Sequence, residues 1–221
     1  MAQEIEIKLR ISDQKAFRRT LKRLGARPVG GGSGRVHEWN VIFDTPQGGL
    51  AKHAQLLRIR TETPEGRAKK GAGAGKSRVV LTFKRPPGPS MTDREMGGRV
   101  VESRRHKVRE EIEVEVAEAG NLTRILEGLG MRGWFRYEKY RTTFKLPATA
   151  RWAEGLLIEL DETPIGTYVE LEGPAEAIDR AARDLGFSPR DYVLKNYLAL
   201  YVEQCRRKNE EPSDMVFSKS R

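Results

Sequence analysis

Apolar and charged residues alternate with a period of two in several short segments, a pattern typical of strands with one buried face. The segment Glu4-Ile5-Glu6-Ile7-Lys8 shows it most clearly. Because hairpin connections dominate, we expect an antiparallel sheet that closes into a barrel. Turns rich in glycine and proline separate about eight predicted strands, near residues 3–11, 36–44, 55–62, 78–84, 107–117, 134–146, 155–163 and 167–172.

Helical periodicity predicts four helices between or after these strands. The first follows Ser12 and Asp13, which can cap it, and Gly25 ends it. The others are predicted near 120–129, 174–185 and 189–206. The pattern therefore predicts an α+β fold, with an eight-stranded antiparallel β-barrel and helices packed outside it. We expect one domain over residues 1–206 and a disordered polar tail over 207–221.

Charged residues of one sign occur in pairs two positions apart, so both members of a pair lie on the same face of a strand. One such pair is explained by a solvated strand face, but a solvated face usually mixes signs because like charges repel. If these faces converge, they line a cavity that holds both carboxylates and cations. The pairs are Glu4/Glu6, which Lys8 follows in the same run, Arg58/Arg60, Glu111/Glu113, Lys139/Arg141, Glu159/Asp161 and Glu170/Glu172, and Lys84 ends one further run.

Such a cavity suits a phosphate-rich anion bound together with a divalent metal. Mg²⁺ and Mn²⁺ take oxygen ligands, usually a few carboxylates together with water and phosphate oxygens. Arginine binds phosphate through its planar fork and lysine binds it as a point charge. Phosphoryl transfer then needs positioning and charge neutralisation more than a protein nucleophile.

The composition of the chain limits where in the cell, and with which partners, we expect this chemistry to take place. The chain has 221 residues, a formal net charge of +10 and a single cysteine, Cys205, so it forms no intrachain disulfide. We expect a soluble, cytoplasmic protein without a signal peptide or a membrane span. Much of the positive charge lies in residues 66–109 and 205–221, which keeps nucleic-acid binding open as an alternative.

The ordered motifs of the chain resemble the CYTH superfamily, also called triphosphate tunnel metalloenzymes. Glu4-Ile5-Glu6-Ile7-Lys8 is similar to the ExExK opening of that family, and the last part of the chain is most similar to its CyaB-like, or class IV adenylyl cyclase, branch. The further matching segments, which extend the resemblance to about residue 202, are 43–46, 57–60, 81–86, 109–113, 138–141, 159–161 and 166–172.

The resemblance implies an eight-stranded barrel whose lumen holds a triphosphate and Mg²⁺ or Mn²⁺. It implies metal binding by Glu4, Glu6, Asp161, Glu170 and Glu172. It implies phosphate binding by Lys8, Arg58, Arg60, Lys84, Lys139 and Arg141. It implies catalytic roles for Lys84, Glu111, Glu113 and Lys139, in which Glu111 and Glu113 either support the metal or accept a proton; Glu159 has the same strand parity as these acids.

Three functions follow as alternatives. The first is hydrolysis of an inorganic or organic triphosphate, such as tripolyphosphate or a nucleoside or thiamine triphosphate, with release of orthophosphate. The second is cyclisation of ATP to cyclic AMP and pyrophosphate. The third is non-catalytic binding of a polyanion or nucleic acid through the basic segments 66–85 and 94–109, which the many carboxylates disfavour. We expect no membrane partner and a monomer or homodimer.

A base-binding site would separate a cyclase from a triphosphatase, and the sequence names none. The tryptophans are the natural candidates, but we expect Trp39, Trp134 and Trp152 to pack on the barrel exterior beneath helices.

Overall fold

The computed structural model describes residues 2–30, 33–65, 76–88 and 105–218. Within these ranges the chain forms one sheet of nine strands, in which all neighbouring strands are antiparallel. The strands are β1 (Ala2–Ile11), β2 (Arg27–Pro28), β3 (Arg35–Asp44), β4 (Leu56–Pro64), β5 (Arg78–Arg85), β6 (Lys107–Val116), β7 (Arg132–Lys145), β8 (Leu157–Thr163) and β9 (Gly166–Glu172).

Eight of these strands close into a barrel, so the predicted α+β architecture is confirmed. Around the ring the order is β7, β3, β4, β5, β6, β1, β9 and β8, and pairing of β8 with β7 closes the circle. The two-residue strand β2, which the sequence pattern did not predict, adds to the edge of β7 through Arg27 and Lys145.

The described residues contain five α-helices, all outside the barrel: α1 (Gln14–Arg23), α2 (Gly49–Lys52), α3 (Ala119–Gly128), α4 (Ala175–Asp184) and α5 (Tyr197–Lys208). The Asp13 side chain caps α1 by accepting a hydrogen bond from the Ala16 amide at 2.8 Å. Short 3₁₀ segments cover Arg151–Ala153 and Pro189–Asp191.

Helix packing fixes which face of each strand turns inward. Ile7 of β1 and Leu171 of β9 pack beneath α1 and α4 in the main apolar cluster, together with Leu21 and Ile178 of those helices. A second cluster lies beneath α3 on β3 to β5. Because side chains alternate along a strand, burying these aliphatic residues outside the barrel turns the charged residues between them into the lumen.

The last helix begins later than predicted. Helix α5 starts at Tyr197, where Asn196 caps it by accepting a hydrogen bond from the Ala199 amide at 2.8 Å, whereas the sequence pattern predicted a start near 189. Val193 is extended and exchanges two backbone hydrogen bonds with Lys8 of β1, at 3.0 and 2.8 Å. Pairing with the barrel therefore replaces helix in this segment.

The C-terminal segment also differs from expectation. Residues 207 and 208 end α5, and residues 209–218 are ordered instead of forming a disordered tail: Ser213 contacts Tyr201 of α5, and residues 214–217 contact β7. Residues 219–221 of the predicted tail lie outside the described residues. Strand β7 has 14 residues and β8 only 7, so part of one edge of β7 has no strand beside it. Met215 pairs with Tyr137 on that edge. Unpaired backbone groups of a longer strand thus order a polar segment that composition alone marks as disordered.

No helix within the described ranges has the length and apolar character that crossing a membrane demands. Most of the two basic segments proposed for nucleic-acid binding lies outside the described residues.

Candidate active site

The lumen of the barrel contains a cavity of about 490 Å³. Every residue that the sequence analysis assigned to metal, phosphate or catalysis lines it, as does Glu159, with the single exception of Asp161. Asp161 lies behind the cavity wall and has no solvent exposure. The structure therefore brings together the charged pairs of six strands and Lys84 of a seventh, and it holds most of these side chains in ion pairs.

Lys8 lies between two carboxylates at the junction of β1 and β9. Its Nζ is 3.0 Å from Glu6 and 3.1 Å from Glu170, which is directly opposite Lys8 in the strand register. Burial would raise the pKa of Glu6, but the charges of Lys8, Lys107 and Lys84 outweigh it and lower that pKa to about 2. Burial would likewise raise the pKa of Glu170, but the charges of Lys8 and Arg141 outweigh it and hold that pKa well below its usual value.

Asp161 is the centre of a second group of ion pairs on β7 and β8. Arg141 binds both carboxylate oxygens of Asp161 at 2.7 Å, and Lys139 Nζ donates to Asp161 at 2.8 Å. Tyr197 of α5 donates its hydroxyl to the same carboxylate at 2.7 Å. Arg141 also contacts Glu170 at 2.6 Å and forms an ion pair with Glu159. Asp161 thus orients both cations of β7 from behind the cavity wall.

The two arginines of β4 are held by neighbouring strands. Arg58 donates to the Tyr137 hydroxyl at 2.9 Å and to Thr82 at 3.3 Å. Arg60 donates to Glu113 at 3.1 Å, and Glu113 also accepts a hydrogen bond from Thr82 at 2.7 Å. Burial would raise the pKa of Glu113, but Arg60 and the hydroxyl of Thr82 lower it overall. Glu113 therefore stays ionised as the partner of these arginines.

Lys84 of β5 joins Glu4 and Glu111 across the lumen. Its Nζ lies 2.7 Å from Glu4 and 3.1 Å from Glu111. Burial would lower the pKa of Lys84, but the negative charges of Glu4 and Glu111 outweigh it, so the pKa is raised overall. Burial and the neighbouring carboxylates of Glu4 and Glu113 raise the pKa of Glu111 despite the attraction of Lys84. Glu111 is thereby closer to accepting a proton at neutral pH than an ordinary glutamate.

Two further acids carry raised pKa values. Burial, followed by the charges of Glu159 and Glu4, raises the pKa of Glu172 to about 8. Burial also raises the pKa of Glu159 to about 7; Arg141 opposes this rise, and the charges of Glu170 and Asp161 add to it. The lumen thus contains a region where carboxylates are in excess over nearby cations.

That excess of carboxylates fits a hard divalent cation, which takes oxygen ligands and would relieve the repulsion among Glu4, Glu159 and Glu172. In the part of the chain that the structure describes, no three His, Cys, Asp or Glu side chains are already grouped to hold a metal ion. Most of the predicted ligands instead hold lysine or arginine. Metal binding would require these carboxylates to exchange their cationic partners, and the five-residue ligand set stays a prediction.

Asp44 has a structural role beside the cavity that its motif did not reveal. Its carboxylate accepts hydrogen bonds from the backbone amides of Thr45, Leu50 and Ala51, at 2.7 to 2.9 Å. Burial would raise the pKa of Asp44, but these amides lower it. The residue therefore holds helix α2 and the preceding turn at the mouth of the barrel.

Sequence reasoning missed several residues of the site. Lys107 lies on the same face of β6 as Glu111 and Glu113, so the period of two could have identified it, whereas Glu38 lies on β3, which carries no predicted lumen residue. Glu38 is buried near Lys139 and Arg141, at 3.5 and 3.6 Å, and Lys107 binds Glu6. Burial and the charge of Lys8 lower the pKa of Lys107. Further missed lining residues are Arg109, Tyr137 and Tyr197. Arg109 and Tyr137 share strand parity with predicted lumen residues, whereas nothing in the sequence pattern marks Tyr197.

The prediction for the tryptophans was wrong for two of the three. Trp152 packs against the cluster beneath α1 and α4, but Trp39 is exposed on the barrel surface. Trp134 lines the cavity and is 48% exposed. A register shift between Ile42 and Phe43, opposite Trp134, breaks the regular alternation of β7. Bulges of this kind redirect a side chain, which explains why strand parity misplaced Trp134.

Comparison with known proteins agrees with this geometry. The sequence profile of a family described as the CYTH domain matches residues 2–197. No curated protein matches the chain.

Several solved structures share the fold. The PH1819 protein of Pyrococcus horikoshii is 22% identical with a TM-score of 0.64, covering 91% of this chain and 99% of its own. A Vibrio parahaemolyticus protein, provisionally named an adenylate cyclase, is 17% identical with a TM-score of 0.63, covering 88% and 94%. A Bacillus halodurans protein with the same provisional name is 16% identical with a TM-score of 0.53, covering 91% and 99%. At these identities the similarity shows the fold alone.

Proposed function

The chain belongs to the CYTH domain family, a metal-dependent family of triphosphatases and class IV adenylyl cyclases, and from this premise we propose that it hydrolyses a triphosphate and releases orthophosphate. One observation carries the proposal: seven buried or half-buried cations face one cavity, each already paired with a carboxylate. These cations are Lys8, Arg58, Arg60, Lys84, Lys107, Lys139 and Arg141.

The ion pairs inside the barrel are suited to an exchange in which a phosphate group replaces a carboxylate as the partner of each cation. Removing a single charge from a buried pair is costly, so a substrate that enters must replace the carboxylates it displaces. A triphosphate supplies anionic oxygens to the lysines and arginines, and the released carboxylates become available to a divalent cation. The cavity of about 490 Å³ is within the range of small-molecule sites and too small for a nucleic-acid duplex.

In the proposed reaction Arg58, Arg60, Lys8 and Arg141 hold the phosphate chain, and Lys84 and Lys139 stabilise the charge that develops on the transferred group. A bound divalent cation would neutralise further phosphate charge. A water molecule attacks the terminal phosphorus, the bond to the bridging oxygen breaks, and orthophosphate leaves together with the shortened phosphate chain.

The proton of the attacking water needs an acceptor. Glu111 is the better of the two predicted acids, because its pKa is raised while that of Glu113 is lowered by Arg60 and Thr82. Glu113 then acts by orienting the arginines of β4.

A second candidate, cyclisation of ATP, gains support from Trp134. Its exposed ring stands at the cavity beside Leu56 and Leu198, which offers an apolar surface on which a nucleobase could stack. In that reaction the ribose 3′-hydroxyl attacks the α-phosphorus and pyrophosphate leaves. The lysines and arginines serve both reactions, so the apolar surface at Trp134 is the feature that favours cyclisation.

Phosphorus NMR tests both candidates. The protein is given tripolyphosphate and ATP in parallel with Mg²⁺ or Mn²⁺. Orthophosphate from either substrate, lost in Glu4→Ala and kept in the exposed-lysine control Lys195→Ala, supports hydrolysis. Cyclic AMP and pyrophosphate from ATP support cyclisation. Absence of all these products, with salt-dependent nucleic-acid binding that Glu4→Ala leaves unchanged, would favour the third alternative.

A further inference from the structure

The residues that follow helix α5 lie beyond the part of the chain that the family profile matches, which ends at residue 197. We call residues 209–218 the C-terminal strap. Asn209 ends α5 with a left-handed backbone (φ 57°) and turns the chain back towards the barrel. The strap then follows the free edge of β7 beyond the end of β8.

Backbone pairing attaches the strap to β7. The Met215 amide donates to the Arg136 carbonyl at 2.9 Å, and the Met215 carbonyl accepts from the Glu138 amide at 3.1 Å. The Asp214 carboxylate accepts from the Arg136 amide at 2.8 Å, and the Phe217 amide donates to the Glu138 carboxylate at 2.7 Å. The strap thus satisfies backbone groups that β8 leaves unpaired.

Met215 fills the gap in the wall that this edge leaves. Its side chain is 1% exposed and belongs to an apolar cluster that includes Phe135, Tyr137, Tyr168 and Tyr197. Two of these rings carry hydroxyls that reach the active site. Tyr137 accepts from Arg58 at 2.9 Å, and Tyr197 donates to Asp161 at 2.7 Å. The strap therefore packs against the rings that orient a phosphate-binding arginine and the carboxylate behind Lys139 and Arg141.

We propose that the C-terminal strap is a positioning element of the active site, in which Met215 fixes the ring of Tyr137 and so holds the Arg58 guanidinium in its binding orientation. The inference rests on the proposed function only where it assigns phosphate to Arg58. Met215 touches no reacting atom and acts through Tyr137.

The neighbours of Arg58 make its orientation depend on Tyr137. Besides that hydroxyl, Arg58 has Thr82 at 3.3 Å and Glu113 at 3.8 Å, on β5 and β6, which follow β4 in the direction away from β7. If the Tyr137 ring gains freedom, the guanidinium turns towards Glu113 and the phosphate loses a preformed contact. The loss appears as weaker binding, because the arginine must be reoriented each time a triphosphate enters.

The first test measures the affinity of the full chain for tripolyphosphate with Mg²⁺ by calorimetry. Met215→Ala should raise Kd at least tenfold, whereas Met215→Leu, which keeps the volume, should stay within about twofold. Leu185→Ala is the matched control, since it removes a buried leucine from the cluster beneath α1 and α4 and should lower Tm without changing Kd by more than about twofold.

A double-mutant cycle separates positioning from general loosening. Tyr137→Phe removes the hydroxyl that Arg58 contacts, so Met215→Ala added to it should raise Kd by less than about threefold further. If the two fold-changes simply multiply, or if Met215→Ala and Leu185→Ala change Kd alike, the strap does not act through Tyr137 and the inference is wrong.

A second measurement is independent of any substrate. The side-chain Nε–Hε resonance of Arg58, assigned with Arg58→Lys, is recorded in ligand-free protein. It should shift or broaden in Met215→Ala and remain in place in Leu185→Ala. If the wild type binds no tripolyphosphate, the proposed function fails while this signal still decides the role of the strap. An unmoved Arg58 resonance in Met215→Ala overturns the inference.

Discussion

Replacing Lys8 with methionine tests whether the ion pairs of the lumen are coupled as the structure describes. Lys8 is 3% exposed, and its Nζ lies 3.0 Å from Glu6 and 3.1 Å from Glu170. Methionine occupies a similar volume, so packing changes little, but two buried carboxylates each lose one of their two cationic partners and keep the other, Lys107 for Glu6 and Arg141 for Glu170. We expect Lys8→Met to destabilise the fold mainly through electrostatics.

The magnitude follows from breaking a buried pair by removing one partner, which costs about 3–5 kcal/mol. In a chain of this length each kcal/mol lowers Tm by roughly 2–4 °C, so a decrease of about 6–20 °C is expected. The full range applies only at neutral or higher pH, where both carboxylates are ionised.

The effect should depend on pH with a definite sign. In the wild type the lowered pKa of Glu6, about 2 against an ordinary 4.5, contributes stability above pH 4.5 that is lost as pH falls towards 2. Removing Lys8 takes away the strongest of the charges that lower the pKa of Glu6, so that pKa rises in the variant although Lys107 and Lys84 remain, and Glu6 contributes less stability at neutral and higher pH. The difference in stability between wild type and variant should therefore be larger at pH 8 than at pH 5.

Urea unfolding of both proteins at pH 5 and pH 8, in metal-free buffer, measures this difference. Lys195→Met is the control, because Lys195 is exposed and its ion pair with Glu203 should contribute at most about 1 kcal/mol at either pH. A loss of less than about 1 kcal/mol in Lys8→Met at pH 8, or an equal loss at both pH values, would refute the reasoning.

Three further predictions concern single residues. Asp44→Ala removes the acceptor for three backbone amides at the start of α2 and should lower the free energy of unfolding by about 1–2 kcal/mol; a change below about 0.3 kcal/mol in urea unfolding would contradict this role. The raised pKa of Glu172, about 8, predicts that metal-free wild type loses stability as pH rises from about 4.5 to 8, by up to about 1.4 kcal/mol per pH unit, and that Glu172→Gln flattens this slope; parallel slopes would argue against it. The thiol of Cys205, 2% exposed, should react with an aromatic disulfide reagent only after unfolding, and rapid reaction of the native protein would show that α5 opens.

Much of the active site could be read from the sequence because the strand period is simple. Alternation placed Lys8, Arg58, Lys84 and Arg141 on faces opposite the aliphatic residues, and the structure turns all four inward. The period failed at Trp134, where the register shift breaks the alternation of β7. It was silent on Tyr197, because that residue reaches the lumen from a helix outside the barrel.

The sequence by itself determined the strands, the closed barrel and the inward charges, since these follow from local alternation and from the need to bury aliphatic faces beneath helices. Only the tertiary structure decided which charge meets which, because the pairing of Arg141 with Asp161 or Lys84 with Glu4 depends on strand order around the ring. The tertiary structure also decided that the C-terminal strap is ordered. Its pairing partner is the free edge of β7, and that edge exists only because the paired strands β7 and β8 differ in length.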